Sequence, residues 1–253
     1  MDQGAVSRTV GPKFANSFAI LPAAQTRGGI LLAVNEDFFD LSDIQSSTNA
    51  ITATITMRAD RIQWQITVVY GPQRDEEKIQ FLQELKSVPP PAHDRWLILG
   101  DFNLIYQAED KNNSNLNRRL MNSFKATLDA LRLKEVKLNG HRFTWSNEQA
   151  NPTLTKIDRI FCTLEWDLLF PACFLHSLPS LMSDHTPLLL QGDLDHRPNT
   201  FFQFENLWTT MPGFHEMVQA TWGRRLIHSF LSSASIPKWQ GWPKVLKDGV
   251  ERR

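Results

Sequence analysis

Apolar positions recur along this chain at two periods. "ITATITM" (51–57) puts Ile51, Ala53, Ile55 and Met57 on one side, and "IQWQITVVY" (62–70) does the same with Trp64, Ile66, Val68 and Tyr70. Alternation at period two predicts half-buried strands, and the polar "RADR" between them predicts a hairpin. "GGILLAV" (28–34) and "WLILG" (96–100) are continuous apolar runs, the pattern of strands covered on both faces. "DEEKIQFLQELKSV" (75–88) has acids in its first turn and apolar residues at helical spacing, and Pro89-Pro90-Pro91 stops it. "RRLMNSFKATLDAL" (118–131) repeats Leu120, Phe124 and Leu128 every fourth residue, predicting a second amphipathic helix. Short strands are expected in "EVKLNGHRFTWS" (135–146), with Asn139-Gly140 as a hairpin turn, in "KIDRIFCT" (156–163) and in "PLLLQG" (187–192). Strands, hairpins and helices interleave, which predicts an α/β fold with a mixed sheet and helices outside it.

Beyond about residue 195 the pattern changes. "RPNTFFQFENLWTTMPGFHEMVQATW" (197–222) is aromatic-rich and helix-prone, so the expected division is a domain over 1–195 and an appended tail over 196–253. Charge divides the same way. Residues 1–195 hold 19 Lys and Arg against 23 Asp and Glu, and residues 196–253 hold 8 against 4. The domain therefore lacks the broad basic footprint of most nucleic-acid binders, and any grip on a polyanion must come from cations or a local patch. The basic tail, with tryptophans among its lysines and arginines, reads either as a single-strand grip or as connector surface. Two cysteines, Cys162 and Cys173, make no disulfide framework, and no apolar run approaches a membrane span. With no basic-then-apolar leader after Met1, an intracellular setting, nuclear or cytoplasmic, is the expectation.

Candidate chemistry gathers where predicted strands meet loops. The residues are Tyr70 in "VVYGP", Asp101 and Asn103 in "GDFN", Thr144 in "FTWSN", Asp158 in "KIDR", and Asp184 with His185 in "SDH". Each alone has a plain structural reading. Asp101 and Asn103 suit an Asx turn. Asp158 could pair with Lys156 or Arg159, Asp184 and His185 could be a loop pair, and Tyr70 could be core with its hydroxyl at the rim. Against the bland reading of Asp101 stands the apolar run before it, because an unpaired carboxylate at a buried strand end is costly.

Taken in order, Tyr, Asp-x-Asn, Thr, Asp and Asp-His resemble the motif series of the endonuclease/exonuclease/phosphatase superfamily. "WLILGDFNLI", "NGHRFTWSN", "KIDRIF" and "SDHTPLLL" look most like the apurinic-type endonuclease domain of plant LINE-like (non-LTR) retrotransposons, and the tail resembles the linker towards a reverse transcriptase. The resemblance implies a DNase I-like sandwich of two packed sheets with helices outside, and Mg²⁺- or Mn²⁺-dependent cleavage of DNA phosphodiesters. On matching positions, Asp101 would activate the attacking water and Asn103 would hold that water or a phosphate oxygen. His185 would donate to the phosphate, oriented by Asp158, and Asp184 would help hold the cation. Tyr70 and Thr144 would contact the phosphate or the leaving group. The family's opening strand with its Asn, and the strand bearing its principal metal-binding Glu, have no match here. Asn16 in "KFANSFAI" and Glu36 in "AVNEDFF" are the nearest residue types, in the wrong context. The sandwich is accordingly expected to be incomplete at the N-terminus and the activity impaired. The alternatives are a silent fragment that at most binds nucleic acid or a partner weakly, and another phosphoesterase of the superfamily.

Overall fold

The computed structural model describes residues 2–23, 28–180, 183–192 and Glu216. Helix α1 (Gln3–Val10) starts where the Asp2 carboxylate accepts the N–H of Ala5, leaving one fewer orphan amide in the first turn. Strands β1 (Phe18–Leu21) and β2 (Ile30–Ala33) pair antiparallel. Next, β3 (Phe39–Ser46), β4 (Ala50–Met57) and β5 (Gln63–Tyr70) form an antiparallel meander, the last two being the hairpin that alternation predicts. Helix α2 (Asp75–Lys86) then leads to β6 (Trp96–Asp101), which lies parallel to β5.

Helix α3 (Arg118–Ala130) is followed by β7 (Lys134–Glu135), β8 (Leu138–Asn139), β9 (Trp145–Ser146), β10 (Leu154–Thr155) and β11 (Asp158–Cys162). Helix α4 (Leu164–Leu169) and the antiparallel pair β12 (Cys173–Ser177) and β13 (Leu188–Gly192) complete the described core. The main sheet runs β3-β4-β5-β6-β11-β7, and a smaller one runs β13-β12-β8.

Period two along the central strands explains the layering. Trp96 and Ile98 of β6 point to one face, where Phe81, Leu82 and Leu85 of α2 and Leu120, Phe124 and Leu128 of α3 cover them. Leu97 and Leu99 point to the other, where they share a core with Ile30 and Leu32 of β2, Leu175 of β12 and Leu188 and Leu190 of β13. The result is a mixed α/β sandwich with α2 and α3 on one side of a six-stranded sheet and two smaller sheets, with α4 among them, on the other. Among the described residues no strand pairs with the second edge of β2 or with the outer edge of β13.

One expectation changes. Asn139-Gly140 does not turn a local hairpin, because β8 pairs in parallel with the distant β12, Leu138 opposite Leu175. Gly140 holds φ 97° as the chain leaves that pairing, and a Cβ there would come within 2.4 Å of Ser177 Oγ. The tail over 196–253, apart from Glu216, lies outside the described residues. No helix among the described residues is long and apolar enough to cross a membrane.

Candidate active site

Three neighbouring strands of the main sheet end together. The parallel register sets Tyr70 of β5 beside Asp101 of β6, and the antiparallel register sets Asp158 of β11 opposite Asp101 on its other side. The glycines next to these acids permit the approach. A Cβ on Gly71 would lie 2.2 Å from the Phe102 carbonyl oxygen, and one on Gly100, at φ 135°, would lie 2.1 Å from that of Val69. Backbone can close that tightly only where no side chain intervenes.

Asp101 is 8% exposed. Asn103 takes a left-handed φ of 49°, and its N–H donates to Asp101 Oδ1 at 2.8 Å. Its side-chain amide donates to Asp101 Oδ2 at 3.0 Å and to the Gly71 carbonyl at 2.9 Å. The Asx turn is therefore present, and it holds the carboxylate in one orientation instead of letting it solvate.

His185 sits across from this acid. Its Nδ1 lies 2.9 Å and 3.2 Å from the two oxygens of Asp158, a pairing that places the proton on Nδ1 and leaves Nε2 as the outward polar atom. One short segment positions both partners. Thr144 is fully buried, and its hydroxyl oxygen accepts the N–H groups of Ile157 and Asp158, each at 3.0 Å. Ser146 N–H donates to the Asp184 carbonyl and Thr186 N–H to that of Thr144, pinning the Asp-His segment to β9. Trp145 adds its indole N–H to Asp184 Oδ2 at 2.9 Å.

Electrostatics tie the groups together. Burial pushes the Asp101 carboxyl up to about 6 and the Asp158 charge adds to the rise, while the Asn103 N–H, His185 and Lys78 oppose it. The hydrogen bond to Asp158 raises His185 above its ordinary value against the effect of burial, and the charges of Asp158, Asp101 and Asp184 reinforce it. The pair is thus an acid with a high affinity for its proton beside a base whose charged form is favoured.

Asp101, Asn103, Asp158 and His185 come together, with Asp184 alongside. Tyr70 is half-buried at the same strand ends, its ring close enough to Gly28 that a Cβ there would lie 3.2 Å from Cζ. Thr144 braces backbone from the interior and presents no surface for a substrate. Asn16 donates its side-chain amide to Glu36 at 3.1 Å. Trp145 and the buried Arg159, which pairs with Asp110 and Glu135, escape sequence reading because an aromatic and a basic residue in strands look like ordinary packing and surface.

Comparison with solved structures bears on the fold. The endonuclease domain of TRAS1, a telomere-specific non-LTR retrotransposon, is similar at 16% identity and a TM-score of 0.55, over 77% of this chain and 92% of that one. D. rerio TDP2 complexed with a single-strand DNA product aligns at 13% identity and a TM-score of 0.46, over 74% of this chain and 79% of that one. Beta toxin from Staphylococcus aureus aligns at 14% identity and a TM-score of 0.45, over 68% and 70%. No curated protein matches the sequence. The model of the Endonuclease/Exonuclease/phosphatase family matches residues 3–185, which takes in every group of the cluster, and the chain belongs to that family.

Proposed function

We propose that this domain is a phosphodiester-cleaving site of the DNA endonuclease type found in LINE-like retrotransposons, working with a weak hold on its cation. A reverse transcriptase is its expected working partner. The observation that carries the reading is the convergence of Asp101, Asp158 and His185 on one end of the main sheet. The likeness to the TRAS1 endonuclease domain supports the choice of DNA within the family.

In this reading Asp101, near 6, takes a proton from water attacking the phosphorus, which requires its ionised form. Asn103 keeps that carboxylate aimed. His185, its charged form favoured by Asp158, directs Nε2 at a non-bridging oxygen as negative charge builds on the phosphate. Catalysis then works in the window between the ionisation of Asp101 and the raised ionisation of His185.

The family's chemistry calls for a divalent cation to neutralise phosphate charge. Mg²⁺ or Mn²⁺ would find oxygen donors here, Asp184 foremost, but the donor set does not fit a firmly held ion. Among the described residues no three His, Cys, Asp or Glu are grouped to hold a metal, and one Asp184 oxygen already accepts from Trp145. That same observation favours a second reading, a domain that binds DNA without turnover.

A plasmid assay separates the two. Supercoiled DNA at high protein and millimolar Mn²⁺ is expected to be nicked slowly, with nicking lost in Asp101→Asn and His185→Ala. Equal rates in all three proteins would overturn the nuclease reading, and retention of DNA on a filter without nicking would establish the second.

A further inference from the structure

A cation at the rim of this site is held ready by the two helices. Helix α2 leaves the end of β5 where Tyr70 stands beside Asp101, so its first turns lie at the site's end of the sheet. Lys78 shares a helical face with Phe81 and Leu82, and Phe81 packs its ring 6.4 Å from that of Phe102, the residue between Asp101 and Asn103. The Lys78 side chain is 12% exposed and its ammonium donates to Asp75 Oδ1 at 2.8 Å. Asp75 is fixed in turn by Asn117, the cap of α3, whose amide donates to Asp75 Oδ2 at 3.0 Å. A chain from α3 through Asp75 thus orients a half-buried ammonium. The charges that act on Asp101 are Asp158, which strengthens its hold on a proton, and His185 and Lys78, which weaken it.

We infer that Lys78 is a substrate-binding residue that grips a phosphate of the nucleic-acid strand seated over Asp101 and His185, with Asp75 and Asn117 as its positioning residues. This rests on the phosphodiester reading of the site. A lysine on a solvated helix face forms exposed pairs that contribute little. This one is sheltered and, among the described residues, has a single carboxylate partner, which leaves two ammonium protons for an anion.

The test is binding, which needs no turnover. A labelled single-stranded oligodeoxynucleotide is titrated in EDTA by anisotropy against the wild type, Lys78→Met, Lys78→Arg and, as a control on the last turn of α2, Lys86→Met. Lys78→Met is expected to weaken binding about tenfold and to reduce the salt slope by about one. Lys78→Arg is expected to stay within about twofold of the wild type, and Lys86→Met to match it. Wild-type binding that Lys78→Met leaves unchanged, or an arginine variant as weak as the methionine one, would overturn the assignment of Lys78 and leave the site reading standing. A wild type that binds no oligonucleotide would overturn both.

Discussion

At the scale of single residues, Asp101 is the group whose environment most constrains what the protein can do. It is buried, faces Asp158 across the register, and holds its proton up to about 6 instead of 3.8. The sign of the linkage follows. Between those values the folded chain keeps a proton that the unfolded chain has lost, so this carboxyl's contribution to stability declines as pH rises through the window and stays low above it. The shift corresponds to a penalty of at most about 3 kcal/mol at neutral pH. Asp101→Asn is therefore expected to unfold at higher denaturant than the wild type at pH 7, by roughly 2 kcal/mol, with the advantage shrinking as pH falls towards 3.8. An advantage independent of pH in paired urea titrations would refute the origin assigned to it. His185 slopes the same way, for a different reason: its stabilising contact with Asp158 is full below the ordinary histidine value and lost as pH rises through the raised one.

At the scale of elements, the decisive piece is the segment Phe143–Ser146, which the sequence pattern reads as one arm of a local hairpin. Through the Thr144 hydroxyl it takes the first amides of β11, and through its backbone it takes the Asp-His segment. Thr144→Val keeps the shape and leaves two buried N–H groups without acceptors, at about 1–3 kcal/mol each. Equilibrium unfolding should show a loss on the order of 2–4 kcal/mol, restored by Thr144→Ser. A valine variant as stable as the wild type would show that water replaces the hydroxyl. This segment also marks where sequence reading stops. The β4–β5 hairpin, β6, α2, α3 and β11 were legible because each carries its own period and its own stop signal. The motif acids were legible because they end such strands. What was not legible was long-range. The parallel pairing of β8 with β12, the polar edge strand β3 and the indole contact to Asp184 are decided by partners far away in sequence. Thr144 was expected to meet a substrate because its motif fixes its place, while its burial depends on elements folded around it.

At the scale of the whole molecule, the second layer consists of separate small sheets over one continuous face. The outer edge of β13 and one edge of β2 are unpaired among the described residues, and neither "ILLA" nor "LLLQG" carries the lysine or proline that blunts open edges. Phe174 and Leu189, on neighbouring strands, are 48% and 42% exposed. Concentration-dependent association is expected, and Leu189→Lys should reduce light scattering at equal concentration while circular dichroism stays the same. Unchanged scattering would place the sticky surface elsewhere.

The pairing of β11 with β6 has one more consequence. Asp158, Ile160 and Cys162 turn towards one layer, and Arg159 and Phe161 towards the other. Deleting one residue just before this strand would swap the two sets, carrying a guanidinium to the spot where a carboxylate faces the imidazole. Substitutions can wear the centre down by degrees, but a single-codon deletion at that point would invert its charge in one step, so relatives that kept the chemistry should tolerate length changes in the preceding loop only where β10 absorbs them.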